Sequence, residues 1–323
     1  MEYNALGRTG LNVSRVGFGG GGIGEVWGPT TRDEALRAVH RALDLGINYF
    51  DVAPAYGDGK AEEALGIALE GQSEEVIIGT KVRIHTGNMA DVAGAVRRSM
   101  ETSLRLLKRD SVDILHVHNR FTEKRGDTPD SLDADDVTGP VLDAYKAVQQ
   151  AGLTRFIGLS AMDHHVPTLN RIMDTGQWDT VLAYYNLLNQ TAQAPPPTGV
   201  DLYDNGQNIL LAKKHNMGVV GIRSHAAGAL TAGVDRPVPS DNDLLRQDVE
   251  SAARLRFLLG DSVTNLSQAA LVFCLMNADI HTTVPGVKNV AETEEIAGCI
   301  DLPHFSPAQM TRLRELYHKG FKD

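Results

Sequence analysis

Short apolar segments alternate with segments of helical periodicity along most of this chain of 323 residues. The apolar segments are rich in Val, Ile and Leu and cover residues 16–19, 48–51, 76–81, 112–118, 156–160, 180–185, 218–223 and 282–285. Since they are apolar through most of their length, they are typical of strands buried on both faces, as in a parallel sheet covered by helices. Eight strand-helix pairs predict an α/β fold, a closed (β/α)8 TIM barrel, with residues 1–323 forming one domain.

Two further segments complete this predicted barrel. Residues 3–6 and 11–14 flank a Gly-Arg-Thr-Gly turn, which predicts an N-terminal β-hairpin able to plug the bottom of the barrel. A C-terminal helix follows the last strand-helix pair. Gly46 and Gly152 each follow a predicted helix and precede a strand, where a left-handed C-terminal cap is expected.

Three irregular stretches interrupt the alternation, at residues 119–138, 186–200 and 225–244. Each follows the C-terminal end of a predicted strand. In a closed barrel these ends share one face, where active sites are built from the loops that lead into the helices. We therefore expect the functional site at this face.

Composition and charge exclude several classes of partner. The chain carries 31 Lys and Arg against 41 Asp and Glu, a net charge of -10, which disfavours nucleic acid and anionic lipid surfaces. Its two cysteines, Cys274 and Cys299, support neither a disulfide framework nor a Cys-based zinc site. We find no signal-peptide pattern and no apolar stretch long enough to span a bilayer. We expect a cytoplasmic protein with a small-molecule substrate, while the oligomeric state stays open.

Four ionisable residues lie at or just beyond the ends of the second, third and fourth predicted strands: Asp51, Tyr56, Lys81 and His118. Reduction of a carbonyl by hydride leaves an alkoxide that needs a proton, and a tyrosine can donate it when a nearby cation makes the phenol more acidic. We expect Lys81 to be this cation and Asp51 to hold it charged. His118 can hydrogen-bond and orient the carbonyl oxygen.

The motifs around these residues resemble those of the aldo-keto reductases over nearly the whole chain. The matching segments, in the family's order, are GINYFDVAPAYG (46–57), VIIGTK (76–81), VDILHVH (112–118), RFIGLS (155–160), YNLL (185–188) and VPG (284–286). The first three resemble the family segments that carry its catalytic Asp and Tyr, its Lys and its His. Within the third, the interval from Asp113 favours His118 over His116.

This resemblance implies a nicotinamide cofactor, NADP(H) or NAD(H), that lies across the barrel mouth without a Rossmann domain. The glycine-rich residues 17–24 agree, because no helix start of the G-x-G-x-x-G kind follows them. The cofactor-binding candidates are Gly20, Asp51, Ser160, Arg223, Ser224, Ala226, Gly228, Lys288, Glu292 and Glu295. The substrate, an aldehyde, ketone or sugar lactol, would contact Trp27, Tyr56, His118 and Arg120.

Several positions depart from the family pattern. Ala161 and Leu182 replace an Asn and a Gln that commonly contact the nicotinamide carboxamide. Arg223 replaces the aromatic residue that usually stacks on the nicotinamide, although a planar guanidinium can stack as well. Lys288 can pair with a 2′-phosphate, whereas Glu292 stands where many members have Arg or Gln and favours a free 2′-hydroxyl. The family's usual cofactor favours NADP, and Glu292 favours NAD.

Other interpretations stay open at this point. Trp27 can be a loop aromatic, and Arg120 and His225 can be solvated charges. His164 and His165 are adjacent and point in different directions, so we expect no metal site there.

A non-catalytic nicotinamide-binding regulatory barrel is an alternative that the intact set of four residues argues against. A lyase or isomerase with Lys81 as a Schiff-base amine is another, and the spacing of Asp51 and Tyr56 argues against it. The substrate and reaction direction are not readable from the sequence.

Overall fold

The computed structural model describes residues 1–71, 76–231 and 243–322. The strands in chain order are β1 (Tyr3–Ala5), β2 (Asn12–Ser14), β3 (Phe18–Gly19), β4 (Tyr49–Asp51), β5 (Ile77–Val82), β6 (Val112–Val117), β7 (Thr154–Ala161), β8 (Thr180–Tyr184), β9 (Gly218–Ile222) and β10 (Thr282–Thr283). Strands β3 to β10 form an eight-stranded sheet in which each strand pairs in parallel with the next along the chain. Each lies within two residues of its predicted boundaries.

The first and last strands of this sheet approach each other and close it. Val16 forms a parallel bridge to Thr283, and Gly19 forms one to Gly286. The Gly17 N–H donates to the Thr283 carbonyl at 2.8 Å, and the Gly19 N–H donates to the Pro285 carbonyl at 2.9 Å. The predicted (β/α)8 barrel is therefore confirmed.

The helices are α1 (Arg32–Asp44), α2 (Lys60–Ala68), α3 (Val92–Leu107), α4 (Ala134–Asp136), α5 (Leu142–Gln150), α6 (Val166–Asp174), α7 (Asn208–Lys214), α8 (Asp243–Ala253), α9 (Leu266–Leu275), α10 (Val290–Gly298) and α11 (Pro307–His318). Side-chain caps fix several starts: Thr31 accepts from the Glu34 N–H at the start of α1, and Ser306 forms a capping box at the predicted C-terminal helix α11. Gly46 and Gly152 adopt φ of 81° and 74°, as their position after a helix predicts.

The hairpin of β1 and β2 seals one end of the barrel. Leu6, Leu11 and Val13 are at most 6% exposed and pack in a cluster with inward-facing residues of the sheet, including Tyr49 and Ile114. Gly7 makes this possible, because a Cβ there would lie 2.4 Å from the Gly218 backbone nitrogen. The hairpin leaves the opposite end of the barrel, at the C-terminal ends of the strands, for a site.

Loops at that opposite end follow the predicted irregular stretches. Residues 119–138 contain α4, and residues 186–200 precede α7. Of the third stretch, residues 225–244, positions 232–242 lie outside the described residues. In the part of the chain that the structure describes, no helix has both the length and the apolar character that crossing a membrane requires.

Candidate active site

Three neighbouring strands bring the four predicted catalytic residues to the open end of the barrel. Asp51 is the last residue of β4, Lys81 lies one residue before the end of β5, and His118 directly follows β6. Tyr56 lies in the loop after β4, in a turn closed by the Tyr56 N–H donating to the Ala53 carbonyl at 3.0 Å. All four line one cavity.

Asp51 and Lys81 form an ion pair that is almost fully removed from solvent. Their side chains are 5% and 1% exposed, and Lys81 Nζ donates to Asp51 Oδ2 at 2.6 Å and to the Val52 carbonyl at 2.8 Å. Burial lowers the pKa of Lys81, but the charge of Asp51 and the nearby Tyr56 outweigh it, so that the pKa is raised. The lysine is therefore an ammonium group at neutral pH.

This ammonium group lies next to two rings that face the cavity. Lys81 Nζ is 4.8 Å from the centre of the Tyr56 ring. The rings of Tyr56 and His118 meet edge to face, with centroids 6.2 Å apart and planes at 88°. Burial, together with the charges of Lys81 and Arg83, lowers the pKa of His118 to about 3. The imidazole is thus neutral at physiological pH and keeps one N–H to donate.

The neighbouring histidine of β6 has a different environment. His116 is fully buried, and its Nε2 lies 3.1 Å from Thr180 Oγ1 inside the sheet. Burial lowers its pKa well below the usual value for histidine. It does not line the cavity, whereas His118 does, as the spacing from Asp113 predicts.

The cavity has a volume of about 450 Å³. Besides the four residues above, the predicted cofactor and substrate residues that line it are Gly20, Trp27, Ser160, Arg223, Ser224, Gly228, Lys288, Glu292 and Glu295. Two predicted residues lie elsewhere. Ala226 is 1% exposed and does not line the cavity, and Arg120 pairs with Asp163 at 3.2 Å on the surface. Within the described ranges, no three His, Cys, Asp or Glu side chains group so as to hold a metal ion.

Three residues that line the cavity have a buried polar atom without a partner. These atoms are Asp51 Oδ1, Ser224 Oγ and Glu295 Oε1, and none has a hydrogen-bond partner among the described residues. Because buried polar atoms are nearly always hydrogen-bonded, such atoms suggest that a bound ligand supplies the partner. The residues present therefore fit an elongated polar cofactor that extends from the tetrad toward α10.

The loop after β9 has an unusual backbone. Arg223, Ala226 and Ala227 have φ of 58°, 46° and 56°, and Gly228 has 102°. Left-handed conformations of residues other than glycine are uncommon, and they cluster at ligand-binding segments. Successive changes of backbone hand can also turn neighbouring N–H groups toward an anion. This loop thus has the backbone of a ligand-binding segment, in which the Ala226 and Gly228 N–H groups already donate to the Arg223 and His225 carbonyls at 2.9 Å.

An aromatic side chain from the loop after β3 reaches the same wall. The Arg223 guanidinium lies 5.3 Å from the centre of the Trp27 ring. The indole nitrogen packs against two glycines, since a Cβ would lie 2.7 Å from it at Gly21 and 2.5 Å at Gly286. Trp27 therefore connects three loops at the cavity mouth and is more than an isolated loop aromatic.

The far end of the cavity is formed by the start of α10. Asn289 caps this helix by accepting from the Glu292 N–H at 2.8 Å. Glu292 accepts from the Lys288 N–H at 2.9 Å, and its other oxygen is 3.7 Å from Lys288 Nζ. A carboxylate thus lies beside the lysine that could otherwise bind a phosphate.

Several lining residues were missed by sequence reasoning. They are Gly19, Gly21, Gly22, Val26, Met162, Ile222, Thr231, Asn265, Ser267, Val284, Pro285, Gly286, Val287 and Ile296. The VPG motif could have indicated those around Gly286. Asn265 and Ser267 belong to the start of α9, and nothing in their local sequence points to a ligand.

The comparison with known proteins agrees with this geometry. The model of a family described as "Aldo/keto reductase family" matches residues 15–318. L-galactose dehydrogenase of Arabidopsis thaliana is 31% identical over 96% of this chain and 92% of its own length. An aldo-keto reductase of Bacillus halodurans in its holo form superposes with a TM-score of 0.73 at 22% identity, over 98% of this chain and 96% of that one. One of Klebsiella pneumoniae, in complex with NADPH, gives 0.67 at 22% identity, over 98% and 95%.

Proposed function

Because the chain belongs to the aldo/keto reductase family, we propose that Asp51, Tyr56, Lys81 and His118 form its catalytic site. The chain is an oxidoreductase that transfers hydride between NAD(P)(H) and an aldehyde, ketone or sugar. The observation that carries the assignment of residues is the buried Lys81 to Asp51 ion pair, 2.6 Å long, beside the Tyr56 ring.

Each residue of the proposed site has one task. A bound reduced nicotinamide supplies the hydride. Tyr56 donates a proton to the oxygen that becomes the alcohol, and in the oxidation direction it removes that proton. Lys81 stabilises the phenolate left behind, since an ammonium 4.8 Å from the ring centre interacts strongly where water is excluded. Asp51 keeps Lys81 in place, and neutral His118 donates a hydrogen bond to the carbonyl oxygen.

We further propose that Gly20, Ser160, Arg223, Ser224, Gly228 and Glu295 hold the cofactor along the cavity. Support comes from the buried Ser224 Oγ and Glu295 Oε1, which lack partners among the described residues, and from the left-handed backbone after β9. The Arg223 guanidinium lies 5.3 Å from the centre of the Trp27 ring, and its planar group can stack on the nicotinamide.

We propose NAD(H) rather than NADP(H) as the preferred cofactor. The adenosine 2′-phosphate carries negative charge, and Glu292 would lie close to it and repel it. Glu292 also lies 3.7 Å from Lys288 Nζ and so neutralises part of the charge that would attract the phosphate. A free ribose 2′-hydroxyl can instead donate a hydrogen bond to this carboxylate.

A sugar or other hydroxylated carbonyl compound is the proposed substrate. One relative that matches over most of both chains is named L-galactose dehydrogenase. Trp27 offers the kind of flat aromatic surface on which a sugar ring can pack, and it lines the cavity together with Tyr56 and His118. Arg120 is left out of this set, because it pairs with Asp163 away from the cavity. A cytoplasmic location and a single domain of residues 1–323 stay predictions.

The two alternative functions are less compatible with the site. A Schiff-base enzyme needs a neutral amine, whereas the raised pKa of Lys81 keeps its amine protonated. A purely regulatory barrel does not require four chemically matched groups at one point of the cavity, although it would bind the same cofactor.

Titration with NADH and NADPH, followed by nicotinamide fluorescence, tests this proposal together with assays of aldohexose oxidation in the presence of NAD⁺. We expect both cofactors to bind, NADH the more tightly by about tenfold, and turnover of at least one hexose. Binding of neither cofactor would contradict the proposed site. Tighter binding of NADPH would contradict the role of Glu292 alone, and binding without turnover of any carbonyl or alcohol substrate would favour the regulatory barrel.

A further inference from the structure

A buried carboxylate lies behind the catalytic strands, outside the cavity. Glu62 of α2 is fully buried, and its Oε1 accepts a hydrogen bond of 2.6 Å from Thr80 Oγ1. This distance is at the short end of the range for hydroxyl-to-oxygen hydrogen bonds, and burial raises the pKa of Glu62. Its other oxygen, Oε2, has no hydrogen-bond partner in the described part of the chain. Burying a carboxylate with so few partners is costly, so a structure that keeps one there requires an explanation.

The two ends of this hydrogen bond lead directly to the proposed catalytic pair. Thr80 precedes Lys81 in β5, and in a strand the two side chains point to opposite faces of the sheet. Glu62 follows Ala61, whose N–H donates to the Tyr56 carbonyl at 3.2 Å. A chain of contacts therefore runs from Tyr56 through Ala61, Glu62 and Thr80 to Lys81. The two ends of this chain of contacts, Tyr56 and Lys81, also lie close to each other on the other side of the strand, where Lys81 Nζ is 4.8 Å from the centre of the Tyr56 ring.

Tyr56 lies between two connections to β5. Before it, the Val52 N–H donates to the Gly79 carbonyl at 2.9 Å, and Lys81 Nζ donates to the Val52 carbonyl at 2.8 Å. After it, the loop is a series of turns that lead into α2, with the Gly59 N–H bonded to the Pro54 carbonyl at 2.8 Å and the Lys60 N–H to the Gly57 carbonyl at 3.1 Å. The Glu62 to Thr80 bond joins α2 to the strand that carries Lys81.

We propose that Glu62 is a positioning residue, which sets the distance between the Tyr56 phenol and the Lys81 ammonium through its bond to Thr80. The inference rests on the proposed function, because it requires Tyr56 and Lys81 to act together. Glu62 touches neither substrate nor cofactor in this scheme. Displacement of reacting groups by about 1 Å can lower turnover on the order of a hundredfold, so a small shift of α2 is sufficient to have an effect.

Thr80→Val is the direct test, because it removes the hydroxyl and keeps the shape of the side chain. We expect kcat per mole of folded enzyme to fall by about tenfold or more, with the Kd for NADH within about twofold of wild type. Thr80→Ser should restore kcat, since it restores the donor. Thr154→Val is the matched control: Thr154 is also buried in a strand and donates to the Phe156 carbonyl at 2.9 Å, but it lies away from the tetrad. A stability loss in Thr80→Val with wild-type kcat would overturn the proposal.

A double variant decides the question if Thr80→Val does not fold. Glu62→Leu with Thr80→Val replaces both partners by apolar groups, a change that can be nearly neutral for folding. We expect near wild-type unfolding and reduced kcat, and a wild-type kcat would again overturn the positioning role. The wild-type enzyme and Tyr56→Phe are assayed in parallel. An inactive wild type contradicts the proposed function, whereas an active wild type, an inactive Tyr56→Phe and an unaffected double variant contradict this inference alone.

Discussion

The two ends of the cavity satisfy their polar groups in different ways. At the catalytic end, defined by Asp51, Tyr56, Lys81 and His118, the charged pair is already made within the protein at 2.6 Å, and Asp51 Oδ1 is the buried atom that lacks a partner among the described residues. At the cofactor end, defined by residues 223–228 and 288–295, Ser224 Oγ and Glu295 Oε1 lack partners among the described residues, and the backbone is left-handed at several positions. The difference suggests that the protein preassembles the chemical groups and leaves the binding groups for the ligand to complete. Substitutions at the first end should therefore affect turnover and folding, and those at the second should affect affinity.

Tyr56→Phe should give the largest effect of these substitutions, a loss of turnover. Its result tests whether the cavity is divided into a catalytic end and a cofactor end. The substitution removes the proposed proton donor and keeps the ring that packs against His118. We expect kcat to fall on the order of a thousandfold, the usual scale for loss of a general acid. The Kd for NADH should stay within about twofold, measured by fluorescence titration. If cofactor affinity fell instead while kcat persisted, the catalytic end would be a binding element and the division into two ends would be wrong.

Lys81→Met should have the next largest effect, a decrease in the free energy of unfolding. It leaves the Asp51 carboxylate buried without its cation, and such a loss usually lowers the free energy of unfolding by about 3–5 kcal/mol. Asp51→Asn in the same chain should recover part of that loss, because the uncompensated charge is then gone. Urea denaturation measures both.

Glu295→Ala serves as the control for Lys81→Met at the cofactor end. This carboxylate has an oxygen without a partner in the described structure, so its removal should change the free energy of unfolding by less than about 1 kcal/mol while weakening NADH binding. Equal destabilisation by the two variants would mean that both ends are preassembled.

The sequence predicted which strand ends meet better than it predicted the course of the loops, for a physical reason. Asp51, Lys81 and His118 lie at strand ends, and the register of a closed parallel sheet then fixes their meeting point. The cofactor end depends on loops, whose course the sequence pattern does not determine. Ala226, a predicted cofactor contact, is 1% exposed and does not line the cavity, and Arg120, a predicted substrate contact, pairs with Asp163.

Glu62 is a residue that sequence reasoning did not identify. On α2 it is adjacent to Glu63, which is exposed and pairs with Arg32 at 3.3 Å. The two carboxylates look equivalent in the sequence, and only the packing of α2 on β5 distinguishes the buried one. Buried polar contacts between a helix and a strand are therefore the part of this site that requires coordinates.

The pH dependence of stability should report the neutral state of His118. The pKa of His118 is lowered from 6.5 to about 3, chiefly by burial and then by the charge of Lys81. Between those values the unfolded chain binds a proton that the folded protein does not, so stability is full above pH 6.5 and decreases as the pH falls toward 3. His118→Asn should reduce this slope by up to about 1.4 kcal/mol per pH unit, measured by urea denaturation at several pH values. An unchanged slope would place the imidazole in a more solvated setting than the catalytic end requires.

Arg223→Ala should give the smallest effect, a modest loss of affinity for NADH. It tests whether substitutions at the cofactor end change affinity rather than turnover. The guanidinium lies 5.3 Å from the centre of the Trp27 ring and, in the proposed complex, stacks on the nicotinamide. A stacking contact of this kind contributes about 1 kcal/mol, so we expect the Kd for NADH to rise by about fivefold, with kcat at saturating cofactor within about threefold. Arg223→Lys keeps the charge and loses the planar surface, and should resemble the alanine variant rather than the wild type. If Arg223→Lys bound NADH with wild-type affinity, the charge of residue 223 alone would account for its contribution. The proposed stacking role would then be wrong.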